Sequence, residues 1–84
     1  MEIVRQLEQT IAQEFSGSEI FIDYDKRSGK ASGIMLWEGF GSADQVDRQT
    51  QLWSVLRSRL GADSTKVSTI FTYTPKEYKM LKAS

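Results

Sequence analysis

Few residues in this chain could do chemistry. Histidine and cysteine are both absent, which removes the commonest acid–base group at neutral pH and every thiolate, whether nucleophile, redox centre or metal ligand. Serines at 16, 18, 28, 32, 42, 54, 58, 64, 68 and 84 therefore have no imidazole to activate them, and none stands in a nucleophile-elbow pattern. Two carboxylate pairs, Asp23 with Asp25 and Asp44 with Asp47, carry the oxygen donors that calcium and magnesium take, but neither has the loop spacing of a cation site. A solvated turn accounts for the first pair. The second suits a first helical turn, where acids complement the macrodipole. The expectation is a noncatalytic protein without a metal or cofactor of its own.

Binding chemistry is better represented. Gly39-Phe40-Gly41-Ser42 before a helix could cradle a phosphate with free backbone donors, although turn and cap duty explains the same glycines and the lysine-serine ending of a P-loop is missing. Lys26, Arg27 and Lys30 could grip a nucleic-acid backbone. Trp37, Trp53, Phe21, Phe40, Tyr24 and Tyr73 could offer stacking surfaces or fill a small core. Trp53, between Leu52 and Leu56, reads as core, whereas Tyr24 and Tyr73 near strand ends read as more exposed.

The elements that must position these groups follow from periodicity. Ile3, Val4, Leu7, Ile11 and Phe15 recur at helical spacing and predict a helix over 2–14, ended by Ser16-Gly17-Ser18. Glu19 to Tyr24 reads as a strand, Asp25 to Gly33 as a polar, flexible hairpin loop, and Ile34 to Glu38 as a second strand. Ser42 with Gln45 forms a capping-box pattern for a helix that runs through Val46, Leu52, Trp53, Leu56 and Leu60 to a left-handed Gly61. Lys66 to Tyr73 is β-branched enough for a third strand. Thr74-Pro75-Lys76-Glu77 is the sharpest local signal: a threonine cap, a proline preset at the first helical position and a glutamate reaching back. A closing helix follows, with Tyr78 and Leu81 able to pack inward. The order α-β-β-α-β-α predicts an α+β fold, a small three-stranded sheet with helices packed on one face.

Eighty-four residues suit one domain spanning 1–84. No apolar run is long enough for a membrane span, and the start of the chain lacks a signal-peptide layout, so a cytoplasmic protein is expected. Net charge is zero but sorted along the chain. Residues 1–25 hold Glu2, Glu8, Glu14, Glu19, Asp23 and Asp25 against Arg5 alone, whereas residues 48–84 hold Arg48, Arg57, Arg59, Lys66, Lys76, Lys79 and Lys82 against Asp63 and Glu77. Two solvated faces of opposite sign would explain this, as would a basic face for an acidic partner or nucleic acid.

Phe40 eight residues before Arg48, the helix continuing through Leu52 and Leu56, and the ending Thr72-Tyr73-Thr74-Pro75-Lys76-Glu77-Tyr78 together resemble the BolA-like proteins, with a tyrosine where that ending usually has tryptophan. The resemblance runs in element order over nearly the whole chain. It implies a fold similar to class II KH domains, pairing with a monothiol glutaredoxin around a shared iron–sulfur cluster, and in some members DNA-binding regulation. The shared cluster rests on a histidine at the start of the third strand, helped by a histidine or cysteine in the loop between the first two strands. Lys66 stands at the first position, and the loop Asp25–Gly33 has neither residue type. Gln49 follows Arg48 where the family has histidine, and a glycine follows Phe40 directly rather than one residue later. A protonated lysine is a poor iron ligand, so no cluster ligand is expected here.

Two expectations result. The first is an interaction module without a metal ligand, whose partner, which the resemblance implies is a monothiol glutaredoxin, meets Arg48, Lys66, Lys76, Lys79 and Lys82. The second is a KH-like nucleic-acid binder using Lys26, Arg27 and Lys30 with Gly39, Gly41 and Ser42 on the phosphates. A monomer or weak homodimer is expected in either case.

Overall fold

In the computed structural model, which describes residues 2–83, the first helix α1 spans Glu2–Glu14 and buries Ile3, Leu7 and Ile11 along one face, as their spacing requires. Met1, at the start of the chain, and Ser84, named above among the serines, lie outside the described residues. Phe15 follows the helix into the core, and Gly17 takes a positive φ of 84° in the turn that leads to the sheet.

Strand β1 (Glu19–Asp25) pairs antiparallel with β2 (Lys30–Leu36), which pairs parallel with β3 (Val67–Tyr73). The sheet is three-stranded and mixed, in the order β1-β2-β3. A parallel pair needs a long crossover, and α2 (Gln45–Leu60) supplies it, entered by a short 3-10 turn at Glu38–Phe40 and left by another at Gly61–Lys66. The last helix, α3, spans Pro75–Ala83.

Strand periodicity sorts the sheet into two faces. Ile20, Ile22 and Tyr24 of β1 share a face with Ala31, Gly33 and Met35 of β2 and with Val67, Ile70 and Thr72 of β3. On that side lies the core: Leu7, Ile11 and Phe15 of the α1 segment, Leu52 and Leu56 of α2, and Met35 and Ile70 of the sheet are all essentially sealed from solvent. Phe15 meets the edge of Trp37 at 5.0 Å between ring centroids, and Trp37 in turn meets Phe40 edge-on at 5.1 Å. Trp53 packs against this core while remaining half-buried, as does Tyr24. Arg59, near the end of α2, is ion-paired to Glu14 and hydrogen-bonded to Gln13 at the end of α1.

α1 and α2 form the helical layer. α3 starts at the end of β3 and lays Tyr78 on the opposite face, where it stacks on Phe21 at 6.5 Å and tilts against Tyr73 at 5.9 Å. Tyr78 is half-buried, but Leu81 is 54% exposed and α3 buries no residue completely, which corrects the expectation that Leu81 packs inward. The last turn of this helix runs past the sheet's cover.

Two local readings also change. The nine-residue loop over Asp25–Gly33 is a tight turn, because Lys30 to Gly33 belong to β2 and Asp25 pairs with Lys30. Gly33 is there for close approach, since a Cβ on it would stand 2.5 Å from the Phe21 carbonyl oxygen. The cap of α2 is Asp44 rather than Ser42: the Asp44 carboxylate accepts the Asp47 N–H at 2.9 Å, and Gln45 is the first helical residue. By contrast the Thr74 box forms as read, with Thr74 N–H donating to Glu77 Oε1 at 2.8 Å and Glu77 N–H to Thr74 Oγ1 at 3.2 Å. Gly61 ends α2 at φ 59°.

Candidate functional site

At the turn between β1 and β2, Asp25 organises the chain by itself. Its carboxylate accepts the Arg27 N–H at 2.9 Å and the Ser28 hydroxyl at 3.1 Å, while its carbonyl accepts the Gly29 N–H at 2.8 Å. Gly29 has a positive φ of 71°, which closes the turn in a conformation that disfavours side chains. Lys26 and Arg27 project from the turn tip and Lys30 opens β2, all exposed.

The parallel pairing of β2 and β3 brings the start of β3 beside this turn, because Ala31 faces Val67. Lys66 immediately precedes Val67, ends the 3-10 turn, and pairs with Asp63 at 3.4 Å while its side chain stays 58% exposed. A cleft of about 390 Å³ results, lined by Glu2, Ile3, Tyr24, Ser28, Gly29 and Lys66. The two positions that the BolA resemblance singles out, the β1–β2 turn and the start of β3, therefore share one concave surface. Its polar side-chain groups are an ammonium, two hydroxyls and one carboxylate. That set does not fit an iron–sulfur cluster, which takes thiolate or imidazole, and among the described residues no cluster of three metal-ligating side chains exists.

The opposite end of the sheet holds a different construction. Arg48, the fourth residue of α2, is 3% exposed and spends its donors internally. Its Nε donates to the Ala43 carbonyl at 2.7 Å, Nη2 to the Gly41 carbonyl at 3.2 Å and Nη1 to the Thr72 carbonyl at 3.4 Å. The fork of Nη1 and Nη2 grips both oxygens of Glu77 at 2.6 and 3.0 Å. The guanidinium thus binds α2, the segment before it, β3 and α3 together, above the Phe40 ring at 5.4 Å. The hydrogen bond from Arg48 and, next, that from the Thr74 backbone hold the Glu77 carboxyl down at about 2, and the same ion pair raises Arg48 further. Arg48 is thereby placed inside the molecule, not on the exposed basic surface that its charge suggested. Lys76 and Lys79 are exposed on α3, and Lys82 lies over the Tyr78 ring at 5.1 Å.

Gln45 and Gln49, one helical turn apart on α2, cover the free edge of β3. Gln45 donates from Nε2 to the Thr72 carbonyl at 2.9 Å, and its Oε1 accepts the Thr72 hydroxyl at 2.7 Å. Gln49 Nε2 donates to the Ile70 carbonyl at 2.8 Å, and its Oε1 accepts the Trp53 indole N–H at 3.2 Å. An added strand would have to displace these side chains, so β3 is a guarded edge.

The sequence-derived residues thus divide between two ends. Lys26, Arg27, Lys30 and Lys66 gather at the turn end, whereas Lys76 opens α3 just past the far end of β3. Gly39, Gly41 and Ser42 lie beyond the other end of β2, a seven-residue strand whose length is roughly 23 Å. They also lack a helix N-terminus, since Asp44 occupies that of α2 and the Gly41 carbonyl faces Arg48. The phosphate cradle expected there is not formed. The Gln45–Gln49 guard was absent from the sequence reading, although two glutamines at helical spacing on an otherwise apolar-flanked face were its available signal.

Comparison with known proteins places this arrangement. No family model and no curated protein matches the sequence. Solved structures do match. BolA1 from Arabidopsis thaliana superposes with a TM-score of 0.71 at 18% identity, covering 89% of this chain and 94% of that one. A bolA protein homologue from Coxiella burnetii gives 0.67 at 24% identity, covering 93% of this chain and 92% of its own. A bol-like protein from Babesia bovis gives 0.60 at 12% identity, covering 93% and 91%. With superpositions of this quality over about nine-tenths of its length, the chain has the BolA-like fold.

Proposed function

We propose that this chain is a noncatalytic BolA-like interaction module that docks a protein partner at the turn end of its sheet and contributes no metal ligand. The observation that carries the reading is the cleft in which the β1–β2 turn meets Lys66. In a BolA-like scaffold this is where a cluster-sharing partner would sit, and here an ammonium and hydroxyls replace imidazole and thiolate. A monothiol glutaredoxin in a reducing cytoplasm is the partner class that the fold suggests. Any cluster in such a complex would be ligated from the partner's side, with Lys66 and Ser28 supplying charge and hydrogen bonds to its anionic surroundings. Lys66→Ala should weaken the complex about tenfold, the scale of losing one charged contact, as read by calorimetric titration of the cluster-free glutaredoxin. An unchanged affinity would remove Lys66 from the interface.

A second reading has one observation in its favour: Lys26, Arg27 and Lys30 fall within five residues and are exposed around a turn too short to collapse onto the body. Binding of single-stranded nucleic acid through this turn would weaken steeply with salt, since neutralised phosphates release counterions. Fluorescence anisotropy of a labelled oligonucleotide over a salt series checks it. Equal affinity for wild type and Lys26→Ala/Arg27→Ala would sink it.

A further inference from the structure

The two edges of the sheet are finished differently. Gln45 and Gln49 occupy the outward carbonyls of β3, whereas β1 pairs on one side only, and among the described residues no side chain hydrogen-bonds its backbone between Ile20 and Tyr24. Ladder alternation fixes which groups are left over. Trp37 N–H donates to the Tyr73 carbonyl, so Ala31, Gly33 and Met35 of β2 turn toward β3, and Lys30, Ser32, Ile34 and Leu36 turn toward β1. Their partners Asp25, Asp23, Phe21 and Glu19 spend their backbone groups inward. The N–H and C=O groups of Ile20, Ile22 and Tyr24 therefore point outward, unpaired. β1 runs for seven residues without proline, glycine or a shift in register, and none of its residues is buried. Charge is the one device that blunts this edge.

The charge has one sign. Glu19, Phe21 and Asp23 are exposed on the face of β1 away from α1 and α2, and Phe21, although stacked by Tyr78, keeps 50% of its surface. Across β2 they stand opposite Leu36, Ile34 and Ser32, so neither acid faces a cation, and neither has an ion pair among the described residues. Because the outward hydrogen bonds belong to Ile20, Ile22 and Tyr24, an added antiparallel strand would meet Glu19, Phe21 and Asp23 at non-hydrogen-bonded sites. Opposite side chains come closest there, with Cα atoms about 4.5 Å apart. A strand carrying a cation, an apolar residue and a cation at alternate positions complements all three. Its intervening residues would lie beside Ile20 and Ile22, which are half-buried at the margin of the core. β1 of a second copy does not fit, since in full overlap Glu19 would stand opposite Asp23 or Asp25. We propose that β1 is a docking edge that takes up an extended basic segment of a partner protein as a fourth, antiparallel strand, its cations on Glu19 and Asp23 and an apolar residue between them on Phe21. This goes beyond the reading above: it concerns the strand edge rather than the Lys66 cleft, and its test uses no glutaredoxin, so the two stand or fall separately.

The probe is a capped peptide as long as β1, seven residues, with lysine second and sixth, phenylalanine fourth and valine or threonine elsewhere, titrated to about 1 mM. Amide hydrogen exchange read by NMR should slow at least about tenfold at Ile20, Ile22 and Tyr24 in the saturated complex. N-methylation of the third and fifth peptide residues, whose N–H groups face β1 in this register, should abolish binding. Glutamate in place of both lysines should weaken it at least about tenfold. Glu19→Lys combined with Asp23→Lys, both at exposed positions, should reverse that preference with unchanged circular dichroism. No binding up to the highest concentration would overturn the proposal. So would a complex in which those three amides exchange as before, N-methylated or glutamate peptides that bind as well as the probe, or a double variant that keeps the wild-type preference.

Discussion

Arg48→Met should destabilise the domain by about 3 kcal/mol, a large part of the 5–10 kcal/mol on the order of which a domain of this size is stable. Methionine fills much of the same volume above Phe40, so the loss is mainly polar. The carbonyls of Gly41 and Ala43 lose their Arg48 donors, that of Thr72 keeps only Gln45, and Glu77 loses its bidentate partner. Glu77 is 44% exposed on its side chain and rehydrates readily, which keeps its own contribution small. Arg48→Lys should fall between, because one ammonium cannot serve the fork and the carbonyls together. Chemical denaturation followed by fluorescence reads the difference, and a shift below about 1 kcal/mol would show that the guanidinium is not holding the end of the sheet.

The same ion pair sets an acid dependence. The Glu77 carboxyl is lowered from 4.5 to about 2, so its contribution is present above the unfolded value of 4.5 and is lost as pH falls toward about 2. Arg48→Met should flatten this part of the acid limb without abolishing it, since Thr74 still donates to Glu77. An unaltered acid limb in Arg48→Met would contradict the pairing.

Phe15→Ala carries the other large effect, about 4 kcal/mol. Phe15 is 1% exposed and closes the end of the core between α1 and the segment leading into α2, with Trp37 edge-on and Phe40 behind it at 6.5 Å. Truncation leaves a void that two fixed rings cannot fill, and Trp37 is further restrained by its indole N–H on the Ser16 carbonyl at 3.0 Å. Thermal unfolding should start near the growth range of a mesophile rather than far above it. A stability loss under about 1.5 kcal/mol would mean that this end of the core repacks.

Much of the fold is legible in the sequence because its strongest determinants are local. α1 follows from the spacing of Ile3, Leu7 and Ile11, and the start of α3 from Thr74, Pro75 and Glu77 within four residues. Their partners lie within a turn or two of chain, so composition and spacing suffice. The stretch from Lys30 to Gly33 reads as loop because small and polar residues carry little strand propensity, yet pairing on both sides, with β1 and β3, holds it in the sheet. Ser42 and Asp44 are equally good caps by type. The choice between them is made by Phe40 entering the core and by Arg48 drawing in the Gly41 and Ala43 carbonyls, neither of which is visible in a window of sequence.

The candidate site shows the same division. Lys66 and the β1–β2 turn are far apart in the chain, and only the parallel register of β2 with β3 makes them neighbours. The resemblance to BolA-like proteins brought those positions into view through element order, where residue chemistry pointed elsewhere. Arg48 is the converse case. Its charge suggested a surface, but its partner Glu77 lies 29 residues away and turns it inward. A basic residue that belongs to a family spacing can thus be a structural clamp as readily as a contact.

The most direct test of the central claim is an NMR titration of the isotopically labelled protein with a monothiol glutaredoxin, first without and then with its cluster. The account predicts shifts at Ser28, Gly29 and Lys66 already with the cluster-free partner, and no paramagnetic or optical sign of ligation by this chain when the cluster is present. Shifts absent from that cleft, or a cluster spectrum that changes on adding this protein and reverts with Lys66→Ala, would contradict it.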